Sequence, residues 1–305
     1  MEALLTLPRI KIENANAIAG LTYGFPAVSH FLGFVHALSR ELKSYGDFNI
    51  HGCAIICHSH QVHAYPVSGW GDQVFALTRN PVDQKGDTAA FVEEGRMHLV
   101  VSLLIECDFD ESDIERSEFK DIDSFSNWLV KRILKKRLAG GHITALDNIG
   151  FEDWPDEPEN FIKKKLLSLL PGFALVDRTD YLKQHAEREK EDSNIELFDA
   201  WLDFSKLVYK AHTDDNNKVT WHHCEKPAPG YLVPIMTGYK GISPLYEAGT
   251  VNKARDHSYP FQFVEPIYSI GEWLSPHRAI KPSQFKRLFW HYQCQNDWYL
   301  CCNNQ

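Results

Sequence analysis

The stretch that decides the fold is Leu21-Thr-Tyr-Gly-Phe-Pro-Ala-Val-Ser-His-Phe-Leu-Gly-Phe-Val-His-Ala-Leu38. It begins as a loop with Gly24 and Pro26, and its apolar residues then recur at helical spacing, which predicts an amphipathic helix over about 27–44. Pro26 suits the first turn of this helix, because the amide hydrogen that proline lacks would be unpaired there. The preceding Leu7-Pro-Arg-Ile-Lys-Ile-Glu13 alternates like a half-buried strand. A strand, a Gly-Pro loop and a helix commonly open an α/β sandwich.

The downstream pattern extends this beginning to a complete motif. Residues 50–63 and Arg96-Met-His-Leu-Val-Val-Ser-Leu-Leu-Ile105 have the β-branched and apolar character of strands. A helix is predicted over 124–138, with Ser124 as its N-cap and glycine beyond its end. Phe173-Ala-Leu-Val-Asp177 is predicted to be the fourth strand. The order βαββαβ indicates an α+β protein with a ferredoxin-like core similar to an RNA-recognition motif.

The distribution of glycine, proline and aromatic residues predicts the domain organisation. Glycines and a proline over about 66–95 indicate a thumb-like hairpin insertion. We expect residues 1–178 to form the ferredoxin-like RNA-binding core with this insertion. Residues 179–218 are expected to form a helical connection, and residues 219–305 a β-rich C-terminal lobe that packs on the core.

The composition excludes several protein classes and leaves local RNA binding open. Hydrophobic residues make up 44% of the 305 residues, but no apolar run approaches the ~20 residues of a membrane helix. The seven cysteines are scattered and form no disulfide framework, which favours a reducing cytoplasm. The formal net charge of −9 argues against a general nucleic-acid binder. Basic residues nevertheless cluster at 131–137, directly after an acidic stretch at 106–123, so a local basic groove is compatible with the sequence.

Short fragments over nearly the whole chain follow the order of one known family. They are Asn14-Ala-Asn-Ala-Ile18, Tyr23-Gly-Phe-Pro26, Phe31-Leu-Gly-Phe-Val-His-Ala-Leu38, Leu77-Thr-Arg-Asn-Pro81, Val92-Glu-Glu-Gly-Arg96, Arg137-Leu-Ala-Gly-Gly141, Leu170-Pro-Gly-Phe-Ala-Leu-Val176, Gly230-Tyr-Leu-Val-Pro234, Ser243-Pro-Leu-Tyr246 and Gly271-Glu-Trp-Leu-Ser-Pro-His-Arg278. Together they resemble the second Csy protein family of type I-F CRISPR systems, which is the Cas-five-type subunit of an RNA-guided surveillance complex.

This resemblance implies a fold of the RAMP superfamily and a non-catalytic role without cofactor or metal. A family member is expected to bind the 5′ handle of the CRISPR RNA and to form a heterodimer with the Csy large subunit. It is also expected to abut the Csy backbone subunit and to contact target DNA at most as an accessory, with no membrane partner.

The resemblance also implies which residues contact RNA. The loop Arg137-Leu-Ala-Gly-Gly141 lets backbone amides approach phosphates, and neighbouring cations neutralise them. Thumb and turn residues supply further cations, and the aromatic residues of the first loop supply stacking surfaces. The predicted RNA-binding residues are Tyr23, Phe25, Arg79, Arg96, Lys135, Arg137, Gly140, Gly141, Ser275, His277 and Arg278.

Each of these assignments has a structural alternative. The Gly-rich loop could be a helix C-cap followed by a tight turn, and Arg96 could pair with the adjacent Glu93 or Glu94. The turn at 271–278 could be held by a buried tryptophan, with Arg278 paired to Glu272. The aromatic side chains of the first loop could simply fasten it to the core.

Two other functions and a metal site remain open from sequence alone. The fifteen histidines are compatible with a metal-independent endoribonuclease that cuts CRISPR repeat RNA, although no pattern selects one imidazole. A pure scaffold that docks partners through aromatic surfaces is the third alternative. Cys53-x3-Cys57-His58-Ser-His60 together with His222-His-Cys224 would hold zinc only if both clusters met, and buried thiols are the simpler interpretation.

Overall fold

The computed structural model describes residues 1–69, 71–79, 82, 85–88, 91–193, 196–213, 218–254 and 256–303. Its strands are β1 Ala3–Asn16, β2 Ile18–Ala19, β3 Thr22–Tyr23, β4 Ile50–Val62, β5 Ala64–Pro66, β6 Gln73–Phe75, β7 Leu77–Arg79, β8 Phe91–Glu93, β9 Arg96–Cys107, β10 Arg137–Leu138, β11 Gly141–Ala145, β12 Gly150–Asp153, β13 Phe173–Asp177, β14 Tyr209–Thr213, β15 Val219–His223, β16 Leu232–Gly241, β17 Val264–Leu274, β18 Phe289–Gln295 and β19 Trp298–Asn303. Its helices are α1 Val28–Leu42, α2 Glu111–Arg116, α3 Ile122–Ile133, α4 Pro158–Ser168, α5 Thr179–Ser193, α6 Leu197–Asp203 and α7 Pro282–Lys286, with a 3₁₀ turn at Pro276–Arg278.

The α+β class is confirmed, because helices pack on a large antiparallel sheet. The strand order is β10-β11-β1-β9-β4-β13-β17-β16-β19-β18, and β12 also pairs with β1. β18 pairs in addition with β4, through Phe289↔Ala54 and Trp290↔Cys53. The strands from β4 to β18 therefore close into a ring, and the C-terminal strands continue the sheet that the N-terminal strands begin. Trp290 lies buried in this ring and donates its indole N–H to the Leu175 carbonyl at 2.7 Å.

The two faces of the sheet carry separate apolar clusters. Cys53, Ile55 and Cys57 of β4 point to the face that α1 and α3 cover. The alternate residues Ala54 and Ile56 point to the opposite face, where α4 and α7 pack. This alternation follows from the two-residue period of a strand, and it explains why β4 is apolar along most of its length.

The opening prediction of strand, loop and helix is confirmed. α1 covers almost the whole predicted helix, and it buries an apolar face that includes Phe31, Val35 and Leu38. β1 extends beyond the predicted strand at both ends. No helix in the described part of the chain is both long and apolar enough to cross a membrane.

Two local predictions were wrong. The N-cap of α3 is Asp121, whose carboxylate accepts the Ser124 amide hydrogen at 2.6 Å, so that Ser124 lies inside the helix. The same helix ends at Ile133 and not at 138, because Arg137–Leu138 leaves it to form β10. Hydrogen bonding to the neighbouring strand β11 replaces the last predicted helical turn.

The predicted fourth strand exists as β13, but among the described residues it does not pair with the first strand, β1. β13 pairs with β4 and β17, at Phe173↔Cys57 and Ala174↔Leu274. β11 and β12 instead lie against β1. In the region predicted to project as a thumb, the described residues form two short hairpins, β5 with β6 and β7 with β8.

Candidate nucleic-acid interface

The Gly-rich loop is the turn of a β-hairpin and not the end of a helix. Arg137 pairs with His142 and Leu138 with Gly141. Ala139 and Gly140 form the two-residue turn, with φ of 52° and 80°, as a turn that matches the twist of its strands requires. The structural alternative was a helix C-cap followed by a tight turn: the tight turn is present, but α3 has already ended at Ile133, so the C-cap is wrong. The turn is packed from below, because a Cβ on Gly141 would lie 2.6 Å from the Glu13 carbonyl oxygen.

Arg96 is joined to this turn through Asn16. The Arg96 Nη1 donates to Asn16 Oδ1 at 2.7 Å, and the Asn16 backbone N–H donates to the Ala139 carbonyl at 2.8 Å. Arg96 Nε also donates to Glu94 Oε2 at 2.8 Å, so the ion pair left open by the sequence is the one with Glu94. Arg96 therefore holds Asn16 beneath the turn, and its charge is already balanced by an acidic neighbour.

The exposed cations of this region are Lys135 and Arg137. Both lie at the surface, and neither makes a hydrogen bond or ion pair within the described part of the chain. Lys136, between them, is bound to Glu41 Oε1 at 2.5 Å. The side chain of Arg79 falls outside what the structure describes, so its predicted contact with RNA stays a prediction.

An open groove of about 610 Å³ lies beside the first loop. The loop 22–26 forms one wall, His58 to His60 of β4 form the second, and residues 231–236 with Trp273 form the third. Three aromatic side chains stand exposed on its rim, with exposed fractions of 56% for Tyr23, 53% for Phe173 and 70% for Tyr231. Such flat, accessible rings are suited to stacking on unpaired bases.

The aromatic side chains of the first loop, Phe25 and Tyr23, were predicted either to stack on bases or to fasten the loop to the core, and the structure separates the two. The Phe25 ring stacks on Phe31 at 5.6 Å and meets the edge of Trp273 at 4.8 Å. Phe25 therefore fastens the loop to the core, which was the structural alternative. Tyr23 contacts the Phe75 ring at 5.4 Å but keeps more than half of its surface open, so it remains available for stacking.

His58 is a fixed wall of the groove and not a free base. Its Nδ1 lies 2.7 Å from the Pro171 carbonyl, so Nδ1 carries the hydrogen, and its Nε2 accepts from the Ser102 hydroxyl at 2.7 Å. The Ser102 oxygen in turn accepts the Arg9 backbone N–H at 2.9 Å. Burial lowers the pKa of His58, and both ring nitrogens are engaged, so this imidazole has no lone pair with which to activate a ribose hydroxyl.

The turn at 275–278 directly follows β17, which carries the groove residue Trp273. It packs beside α4, and its Ala279 neighbour belongs to the cluster on the face opposite α1. The Ser275 hydroxyl contacts His277 Nδ1 at 2.8 Å, and Arg278 is exposed. The alternative pairing of Arg278 with Glu272 is wrong, because the Glu272 carboxylate is bound by Arg178 at 2.7 Å.

The zinc hypothesis finds no support in the part of the chain that the structure describes. There, no group of three or more histidine, cysteine or acidic side chains is placed to hold a metal ion. Cys53 and Cys57 point into the apolar cluster under α1. Burial raises the pKa of Cys57 to about 12 and raises that of Cys53 still further.

Native alkylation tests this description of the cysteines. Treatment of the folded protein with iodoacetamide at pH 8 is expected to modify the exposed Cys294 and to leave Cys53, Cys57 and Cys107 unmodified, because a buried thiol ionises and reacts poorly. Peptide mass spectrometry gives the site of modification, and the denatured protein, in which all seven cysteines react, is the control. Modification of Cys57 as fast as Cys294 would contradict the buried placement.

Tyr231, Phe173 and Asn16, which the structure brings to the candidate interface, were not predicted from the sequence. Each lies inside one of the family-like fragments. The fragments therefore pointed to these positions, whereas residue type alone did not. Four such fragments, which contain Tyr23, Phe173, Tyr231 and Trp273, meet at the aromatic groove.

Comparison with known proteins agrees with these fragments. A family model described as CRISPR-associated protein (Cas_Csy2) matches residues 5–301. The chain is also 38% identical to the CRISPR-associated protein Csy2 of Pseudomonas aeruginosa (strain UCBPP-PA14), over 97% of this chain and 93% of that protein.

Proposed function

As a member of the Csy2 family of CRISPR-associated proteins, the chain is a subunit of the type I-F Csy complex of antiviral defence, and we propose that within it the chain holds the 5′ handle of the CRISPR RNA without cutting it. The observation that carries this proposal is the continuity of the glycine turn with the aromatic groove. Residues 14–26 run from Asn16 beneath the turn to Tyr23 on the rim of the groove. One short strand of RNA can therefore follow a single surface.

The two parts of this surface supply different interactions. Exposed Lys135 and Arg137 beside the tight turn neutralise phosphates, which positions the strand without reading its sequence. The groove takes unstacked bases between the exposed rings of Tyr23, Phe173 and Tyr231. Base–aromatic stacking contributes about 1–3 kcal/mol per base, so one or two bases held in this way suffice to order a short handle.

The sheet topology supports the finer fold assignment within this proposal. The order β11-β1-β9-β4, with α1 and α3 covering one face, is the order expected of a ferredoxin-like core. We propose that residues 1–178 act as the RNA-binding core with its thumb, joined by residues 179–218 to a lobe of residues 219–305. The other proposed RNA contacts, Ser275, His277 and Arg278, would then serve a second stretch of RNA or a neighbouring subunit.

The proposed partners follow from the family and from the charge of the chain. We propose that it forms a heterodimer with the Csy large subunit, abuts the Csy backbone subunit and contacts target DNA at most indirectly or as an accessory. The formal net charge of −9 suits an assembly in which more basic subunits carry most of the nucleic-acid contacts.

Charge reversal at the glycine turn tests the proposal. In a complex co-purified with the large subunit, Arg137→Glu is expected to weaken retention of a 5′-labelled repeat RNA about ten- to hundredfold, because a phosphate contact is replaced by repulsion. A native gel measures retention, and a denaturing gel of the same sample, with chelator present, measures cleavage. Lys286→Glu, an equal charge change on exposed α7 of the opposite face, is the control and should retain the RNA.

The same two gels separate the competing functions. Retention unchanged by Arg137→Glu would favour a scaffold that docks partners without holding the handle. Cleaved RNA in the presence of chelator would favour the metal-independent endoribonuclease, and it would direct attention to the histidines.

A further inference from the structure

A second concave site lies at the far end of α1. It is a pocket of about 350 Å³ between the C-terminal half of α1, the start of β4 and the strand β18. At 1.5 Å per helical residue, it lies roughly 15–25 Å along α1 from the aromatic groove, with which it shares no lining residue. Its lining is rich in hydrogen-bond donors: His36, Ser39, Arg40, Lys43, Asn49, His51, His291 and Tyr292.

The cations of this pocket have no acidic partner. Arg40 and Lys43 make no hydrogen bond or ion pair through their side chains with any described residue. They are three residues apart on one helix, so their side chains emerge as neighbours about 5–6 Å apart at Cβ. Glu41, between them in sequence, points away to α3, where its carboxylate meets Arg132 at 3.8 Å, and to Lys136 just beyond that helix at 2.5 Å.

The acidic groups near the pocket are each bound to another side chain. Asp108 contacts His51, and Glu106 contacts His291 Nε2 at 2.5 Å. Asp47 accepts the Asn49 amide at 3.2 Å. These carboxylates orient the imidazoles and the amide that line the pocket, and they leave the guanidinium of Arg40 and the ammonium of Lys43 uncompensated.

Uncompensated cations in a concave site are informative in this acidic protein. Some of its other basic side chains pair with carboxylates, as Arg96 does with Glu94 and Lys165 with Glu152, and Arg40 and Lys43 differ from the remaining surface cations because they line a pocket together. A guanidinium and an ammonium beside a hydroxyl and an amide form a set suited to a phosphate group. Tyr292, with an exposed fraction of 43%, flanks them and adds an aromatic surface.

We propose that this pocket binds a phosphate of a nucleic-acid backbone, at a position separate from the handle surface. Arg40 and Lys43 bear the phosphate charge, and Ser39 and Asn49 supply neutral hydrogen bonds. Tyr292 packs against the adjoining sugar or base, which is the reason to favour a nucleic acid over an acidic protein segment. The proposal does not depend on the assignment of the handle.

Salt-dependent binding by the purified full chain tests this site. A labelled single-stranded RNA and a labelled DNA duplex of equal length, neither containing a CRISPR repeat, are titrated by fluorescence anisotropy at several salt concentrations. For the double variant Arg40→Gln/Lys43→Gln, we expect about tenfold weaker binding to at least one of them. The slope of log affinity against log salt should fall in magnitude by about 1.4 for RNA or about 1.8 for DNA. Whichever of the two nucleic acids binds the variant more weakly than the parent is the one whose phosphate the pocket holds.

Lys163→Gln/Lys164→Gln is the matched control. Both lysines are exposed on α4, which packs on the opposite face of the sheet, so this variant should bind like the parent protein. Equal affinity and slope for the pocket variant and the parent in both arms would overturn the proposal, as would the absence of binding by the parent. If the pocket variant bound both nucleic acids like the parent and lost binding only to labelled polyglutamate, the pocket would be assigned to an acidic protein segment. That result would also overturn the proposal. None of these results bears on retention of the handle, which Arg137→Glu measures.

Discussion

Replacement of Arg178 by alanine is expected to lower the free energy of unfolding by about 3–5 kcal/mol. Arg178 Nε and Nη2 both bind Glu272 Oε2 at 2.7 Å. Glu272 keeps an exposed fraction of only 7%, so the variant leaves a buried carboxylate without its counter-charge. Urea unfolding followed by circular dichroism measures the loss.

Arg278→Ala is the matched control for this prediction. The Arg278 side chain is exposed and binds no described residue, so its removal should change the free energy of unfolding by less than about 0.5 kcal/mol. The two variants therefore distinguish the Arg178–Glu272 ion pair of the structure from the Arg278–Glu272 pair considered on sequence grounds. A larger loss for Arg278→Ala than for Arg178→Ala would mean that Glu272 has the other partner.

The Arg178–Glu272 pair also bears on the aromatic groove. Glu272 precedes Trp273 on β17, and the Trp273 backbone N–H donates to the Tyr231 carbonyl at 3.0 Å. Gly230 packs directly on the Glu272 side chain. We therefore expect Arg178→Ala to disturb the groove wall that contains Tyr231 and Trp273, in addition to lowering the stability of the fold.

Gly141→Ala is expected to destabilise the protein by about 1–3 kcal/mol and to reduce RNA retention. The new methyl group would lie 2.6 Å from the Glu13 carbonyl oxygen and 2.8 Å from the Ala15 nitrogen. Both are backbone atoms of β1, which cannot rotate away as a flexible side chain would. The hairpin must therefore move outward, and it carries Arg137 and the turn with it.

Gly33→Ala is the control for the alanine substitution itself. Gly33 lies on the exposed side of α1, and a Cβ there would have no atom within 4 Å. This variant should stabilise the protein by roughly 0.5–1 kcal/mol, because alanine is the better helix former. If Gly141→Ala matched Gly33→Ala in stability and in RNA retention, the turn would not be packed on β1 as described.

The sequence predicted the elements whose cause is local. α1 follows from its apolar period, and β4 and β9 follow from β-branched apolar runs. The end of α3 was misplaced because Lys135, Lys136 and Arg137 are good helix formers. Pairing of the next residues in the β10–β11 hairpin decided the boundary instead, and no local preference reports it.

The candidate site could be predicted only in pieces. Gly140 and Tyr23 were identified as residues, but the contact of Asn16 with the turn joins parts of the chain more than a hundred positions apart. The partner of Glu272 lies 94 positions away, while the nearby Arg278 suggested itself by proximity. Such long-range contacts depend on which strands are neighbours in the sheet. The pattern of residues along the sequence did not specify the neighbours of β13.

Ultraviolet crosslinking of the assembled Csy complex to its CRISPR RNA tests whether the aromatic groove holds the handle. Peptide–nucleotide adducts are located by mass spectrometry, with Tyr23→Leu as a variant that removes one ring but keeps an apolar side chain. We expect adducts between handle nucleotides and Tyr23, Phe173 or Tyr231, and loss of the Tyr23 adduct in the variant. Handle adducts confined to α4 and the turn at 275–278, on the opposite face of the sheet, would contradict this expectation.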